Sequence, residues 1–156
     1  MERPTPPHNN EIEQAFLCAL LKGCESFEAV TKGIEPGDFY TRAHQRIYEA
    51  LLHLHETGIE IEPLSLITTL KQAGKLDEAG REEYVKTLCD AVPSNANLDY
   101  YSSVTLDYSR RRALLRIASE IGVAAYDETK DVNRFIKKVA KNLRGIKKRV
   151  KGKHNG

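Results

Sequence analysis

No apolar run in this 156-residue sequence approaches the ~20 residues that a membrane-spanning helix requires. The opening residues, MERPTPPHNNEIEQ, are polar and lack the apolar centre of a secretory signal. Cysteine is scarce: Cys18, Cys24 and Cys89 are odd in number and form no CxxC pair, so a reduced, cytoplasmic compartment fits best. Cys18 and Cys89 sit among apolar neighbours and read as packing residues. The GxxxxGK[ST], GxGxxG, GxSxG and HExxH patterns are all missing. The acidic pairs Glu82–Glu83 and Asp127–Glu128 lie in turns or on polar faces and read as solvated surface. No catalytic, cofactor-binding or metal-binding residue is therefore expected in this chain. Sustained alternation of apolar and polar residues is also absent, which leaves no basis for strands. Acid itself runs out before the end. Residues 1–131 hold 14 Lys/Arg against 22 Asp/Glu, whereas residues 132–156 hold 10 Lys/Arg and no acid. An acidic body with a basic end suggests a separate task for the last segment.

What is present is helical periodicity, in a chain sized for one domain or one domain with an appendage. Hydrophobic residues make up 40% and charged residues 29%, as in ordinary globular proteins. Asn10 can cap a first helix, with Glu13 reaching back as in a capping box, and Ile12, Phe16, Ala19 and Leu20 form its stripe. A short helix holding Phe27 and Val30 stops at Gly33. Thr41 and Gly58 bracket the next. Pro63 opens a fourth, carrying Leu66, Ile67 and Leu70 towards Gly74; a fifth carries Tyr84, Val85 and Leu88, and Pro93 ends that region.

From Asn97 to about Tyr126 there is no proline and one interior glycine, Gly122, which predicts a helix about 45 Å long. After the turn DETKD a last helix runs from Val132 to about Val150. Within it Val132, Ile136, Val139, Leu143, Ile146 and Val150 recur at steps of 4 and 3, an a/d seam. The preceding helix offers Tyr101, Val104, Tyr108, Leu115, Ala118 and Ala125, with a second row of Leu114, Ile117, Ile121 and Ala124 beside it. Two long helices joined by a short turn form a helical hairpin. One seam closes it, and the extra row then needs another cover, for which a second copy is the simplest candidate. The expected fold is all-α: a compact multi-helix head over residues 1–95, a long hairpin over 96–150 serving as dimerisation arm, and a basic tail over 151–156.

The stretch DFYTRAHQRIYEALLHLHETG tempts a metal reading because it holds His44, His53 and His55. Ligands on a helix share a face only at spacings of three or four. His44 and His53 are half a turn apart in projection, and so nearly are His53 and His55, while Ile47, Leu51 and Leu54 supply a core stripe. These histidines belong to a helix. The segment FIKKVAKNLRGIKKRVKGKHNG is the stronger signal. Because its apolar seam persists to Val150, it reads first as a structural arm; Lys137, Lys138, Lys141, Arg144, Lys147 and Lys148 are its candidate nucleic-acid contacts. The run Arg110–Arg112 spreads over about 200° of helix and flanks the seam rather than making one patch.

Three ordered segments carry a family resemblance. Pro6, Pro7, Glu11, Glu13 and Gln14 stand as Pro-Pro before an E-x-E-Q helix. Asp38, Phe39 and Tyr40 precede an A-H-x-x-I-[FY] helix with Ala43, His44, Ile47 and Tyr48. Val92, Pro93, Ser94, Ala96, Asn97, Tyr100 and Tyr101 make a V-P-S-x-A-N-x-x-Y-Y turn. Over roughly residues 4–131 the chain resembles the N-terminal domain of the replicative DNA helicases of the DnaB family, and its second arm follows the same layout. The resemblance implies hairpins that pair into dimers, three dimers forming the collar of a hexamer, and docking of primase on that collar during DNA replication. The implied partners are other copies of the chain, primase, a helicase loader and DNA through the basic arm, without a membrane. ATP and magnesium belong to a separate C-terminal domain of such helicases, so this chain is not expected to unwind DNA as it stands. The implied interface comprises Tyr101, Val104, Tyr108, Leu114, Leu115, Ile117, Ala118 and Ile121 of the first arm and Val132, Ile136, Val139, Leu143 and Ile146 of the second. The second arm departs from the family, being strongly basic where mixed or acidic arms are usual. The alternative reading is a stand-alone nucleic-acid-binding replication accessory protein that uses the basic helix; a small enzyme ranks last.

Overall fold

The computed structural model describes residues 4–90 and 97–149. It contains seven α-helices and one 3-10 turn, and no strand among the described residues. The helices are α1 (Asn10–Leu21), α2 (Phe27–Thr31), α3 (Arg42–Thr57), α4 (Pro63–Gln72), α5 (Arg81–Leu88), α6 (Leu98–Ala125) and α7 (Val132–Lys148). The 3-10 turn, Pro36–Asp38, precedes α3. The all-α expectation and the two long final helices are both met. Pro93, Val150 and the tail at 151–156 lie outside the described residues.

Local chemistry fixes most helix ends. Thr41 caps α3 by accepting the His44 amide at 3.2 Å, and Gly58 closes it with φ at 69°, in the left-handed region where a Cβ is strained. Asp131 starts α7 by accepting the Arg134 amide at 2.8 Å, and Asn97 starts α6 by accepting the Tyr100 amide at 3.0 Å. The first cap differs from expectation. Asn9, not Asn10, accepts the Ile12 amide at 3.0 Å. Glu13 does not reach back at all, because its side chain turns inward to other partners and is buried.

The head's core gathers Phe16, Leu17, Leu20, Phe39, Tyr48 and Leu51, none more than 1% exposed, with Leu66, Leu70 and Val85 closing it from α4 and α5. The rings of Phe39 and Tyr48 are 4.8 Å apart, and the Tyr48 hydroxyl donates to the Ile34 carbonyl at 3.2 Å. Burial raises the Tyr48 pKa well above its ordinary value. Truncating one such ring, as in Phe16→Ala, costs about 3–5 kcal/mol in a packed core.

The first arm of the hairpin is also part of this head. Along α6 the residues Ser102, Thr105, Leu106 and Ser109 recur at 3, 1 and 3 and are all buried, so α6 lies closely along α1 on small side chains. The second arm is different. No residue of α7 is buried. Its half-buried positions are Phe135, Val139, Ala140, Asn142 and Ile146, and all but Ala140 recur at steps of 4, 3 and 4 on one face.

That face is not the seam read from sequence. Val132 (68% exposed), Ile136 (58%) and Leu143 (42%) lie to one side of it, open to solvent. The rows of the first arm also exchange roles. Ile117 and Ala124 of the supposed extra row are buried, and Ile121 and Ala124 face the second arm. The expected closing seam, through Val104, Tyr108, Leu115 and Ala118, instead faces outward. The physical reason is width: on each arm the apolar arc is broader than a single antiparallel neighbour can cover, so packing uses one edge and leaves the other.

Candidate assembly surface on the helical hairpin

Two apolar grooves result, on different sides of the hairpin. The first, about 800 Å³, is lined by Pro7 and by Val104, Tyr108, Leu114, Leu115 and Ala118, with Asp107 and Arg111 at its polar edge. Leu114 and Leu115 are 47% and 53% exposed, a large apolar surface for one turn of helix. The second, about 650 Å³, opens between the arms and is walled by Ile121, Ala124 and Ala125 on one side and Val132, Ile136, Val139 and Leu143 on the other. Among the thirteen residues expected at the interface, Val104, Tyr108, Leu114, Leu115 and Ala118 thus meet in the first groove, and Ile121, Val132, Ile136, Val139 and Leu143 in the second. Ile117 is buried, Ile146 is half-buried on the packed face of α7, and Tyr101 packs against the head's core.

The hairpin is positioned by one carboxylate, a motif residue whose role the sequence did not announce. Asp38, 2% exposed, ends the 3-10 turn. Its Oδ1 accepts from the Ser109 hydroxyl of α6 at 2.5 Å, and its Oδ2 accepts from the Glu35 amide at 2.7 Å. The same Oδ2 accepts from Arg149, just beyond α7, at 2.6 Å. Arg149 also donates to the Gly33 carbonyl at 3.3 Å. The Asp38 carboxylate holds the Arg149 guanidinium above its ordinary pKa, so the contact is a charged one. Arg112 of α6 donates to the Asp38 carbonyl and, at 2.8 Å, to the Pro7 carbonyl, with its guanidinium 5.7 Å from the Tyr40 ring centre. Burial lowers the Arg112 pKa somewhat despite the nearby carboxylates. The arginine run therefore splits as its projection suggests: Arg112 ties the arm to the head, and Arg111 pairs outward with Asp107 at 2.8 Å.

A second buried network sits across the head. His44 Nδ1 lies 2.6 Å from Glu13 Oε2, and Glu13 Oε1 accepts the Tyr40 amide at 2.8 Å. An ionised carboxylate only accepts, so Nδ1 carries the hydrogen. His44 Nε2 is 2.7 Å from the Tyr84 hydroxyl, which accepts from Gln14 Nε2 at 3.0 Å. Gly80 keeps Tyr84 in place: its φ is 88°, and a Cβ there would come within 2.9 Å of the Tyr84 Cβ. The network resembles a catalytic relay in outline but contains no nucleophile, and both ionisable partners are fully enclosed. Its work is to bolt α1, α3 and α5 together. His53 and His55 are not part of it; His55 stacks on Phe27 at 4.3 Å. Among the described residues no cluster of three or more His, Cys, Asp or Glu is placed to hold a metal ion.

The motif residues of the first two segments thus converge in space. Glu13, Gln14, Tyr40 and His44 share one network, and Asp38 anchors the other. The third segment lies largely outside the described residues, beyond the cap made by Asn97.

Similarity to known proteins follows the same outline. The family model for the DnaB-like helicase N-terminal domain matches residues 5–106. The replicative DNA helicase DnaB of Treponema pallidum is 40% identical over 124 residues, covering 80% of this chain and 28% of the relative. That of Geobacillus stearothermophilus is 29% identical over 151 residues, covering 97% and 33%. The chain therefore spans about a third or less of the length of these curated relatives. Among solved structures, the N-terminal domain of DnaB helicase from Mycobacterium tuberculosis matches with a TM-score of 0.83 at 28% identity, over 90% of this chain and 99% of that one. The structure of a DnaB-like replicative helicase and its interactions with primase shares the fold, with a TM-score of 0.67 at 23% identity over 88% of this chain and 31% of that one.

Proposed function

The chain belongs to the family of DnaB-like helicase N-terminal domains, and from that premise we propose that it is an assembly domain of a replicative DNA helicase. It pairs with copies of itself through the hairpin, and the paired hairpins present the surface on which primase docks. The observation that carries this reading is the pair of apolar grooves on opposite edges of the arms, each exposing leucine, isoleucine or valine side chains. Contiguous exposed apolar surface of this kind marks an interaction site in a globular protein. At about 25 cal/mol per Å², burying a few hundred Å² per copy supplies several kcal/mol towards association, before the ordering cost is subtracted. The primase contact rests on the fold shared with the helicase studied with primase. Dimers grouped into a hexameric collar, a loader contact and the ATP and magnesium of a separate motor domain follow from family membership alone.

Sedimentation equilibrium tests the reading. Leu115→Asp and Ile136→Asp place a charge in the first and second groove, at positions already exposed, so the head's core is untouched. Each substitution is expected to weaken self-association at least tenfold, about 1.4 kcal/mol, with unchanged helicity. An oligomer indifferent to both substitutions would remove the hairpin from the interface.

A further inference from the structure

The face of α7 turned away from the hairpin interior is composed differently from every other surface described above. At 100° per residue, Lys137, Lys141, Arg144 and Lys148 fall within about 60° of one another and run some 16 Å along the helix. All four are exposed. They lie opposite Val139 and Ile146, which face the first arm, and Lys138 and Lys147 flank the row on either side. Cations of the head largely have carboxylate partners: Arg42 and Arg46 on Glu78, Lys75 on Glu49, Lys71 on Glu82. Among the described residues, none of the seven cations of α7 is in a salt bridge, and the sequence offers no acid within or beyond that helix.

We infer that this row binds the phosphate backbone of duplex nucleic acid. Three observations choose that partner. Between Lys147 and Lys138 the arc holds cations, Asn133, Gly145 and, at its edge, the small Ala140, so it lacks the apolar centre of a protein–protein contact, where lysine is depleted. It carries no aromatic side chain on which an unpaired base could stack, Phe135 being turned towards the groove, so a single strand finds no platform. A straight row of unpaired cations matches a duplex, which presents one negative charge per about 1.7 Å of axis and releases counterions when neutralised. Contacts made to phosphates carry no base-sequence information, so duplexes of different sequence are expected to bind alike.

Fluorescence anisotropy on the 156-residue chain, with a labelled 20-base-pair DNA duplex and with labelled dT20, tests this between 50 and 200 mM salt. Four phosphate contacts predict a log–log slope of about −3 to −4, a loss of roughly 10²-fold across that range. The combined Lys137→Gln, Lys141→Gln, Arg144→Gln and Lys148→Gln variant is expected to lose at least tenfold in duplex affinity, with unchanged helicity and sedimentation mass. The inference is overturned by absent duplex binding at 50 mM salt, by equal affinity of the variant, or by tighter binding of dT20 than of the duplex. A fall in sedimentation mass in the variant likewise overturns it and assigns the row to a second copy of the chain. Its fate is separable from that of the assembly reading, since Leu115→Asp and Ile136→Asp leave the row intact.

Discussion

Glu13 and His44 show what a residue-level reading of sequence reaches and where it stops. The register of α3 is a local quantity, so the core stripe of Ile47, Leu51 and Leu54 and the cap at Thr41 could be read directly, and all three stripe residues are buried. The carboxylate facing His44 lies 31 residues away, and no spacing rule announces it. A glutamate three residues after an asparagine looks like a capping box, and it took the fold to turn that side chain inward. Removing one partner from such a buried pair leaves the other unsatisfied, which is the costly case. His44→Ala is expected to destabilise by about 3 kcal/mol and Tyr84→Phe by about 1 kcal/mol in urea unfolding monitored by circular dichroism. If His44→Ala cost no more than Tyr84→Phe, the network would be incidental to the fold.

Helices were legible as elements because period and caps are local, and the hairpin followed from two long uninterrupted runs. Which edge of each arm would be covered was not legible. An apolar arc wider than one neighbour gives two acceptable registers, and the choice is made by the contacts of Ser109, Arg112 and Arg149 with the Asp38 turn. Small hydroxyl residues such as Ser102 and Thr105 carry no hydrophobic signal, yet they set the close approach of α6 to α1. Since α7 buries no residue, its attachment leans on Arg149 to an unusual degree. Arg149→Ala is expected to speed amide hydrogen exchange along α7 at least tenfold while leaving the exchange of α1 and α3 unchanged. Equal protection of α7 in variant and parent would show that apolar contact with α6 suffices.

For the molecule as a whole, acid stability is the property most directly tied to its surface ion pairs. Hydrogen bonds from Arg46, and then Arg42, bring the Glu78 pKa down to about 2 from its ordinary 4.5. Partial burial acts upward on Glu49, but Lys75 and Arg46 overcome it and the net shift is also downward. A depressed folded-state pKa means that the unfolded chain takes up the proton first as acid is added. The stabilisation is thus complete above about pH 4.5 and disappears as pH falls towards 2. Glu78→Gln is expected to shallow the decline of melting temperature over that interval and to make it less sensitive to salt, since the pair is exposed and screened. An identical acid limb in the variant would mean that other carboxylates govern it.

The two unlike patches on the hairpin also carry an arithmetic. If each patch seats against its own counterpart across a two-fold axis, neighbouring subunits must meet by the one patch and then the other in turn around any circle they close. Only an even tally of subunits leaves nothing bare, so a circle of five or seven would betray itself by a sticky seam.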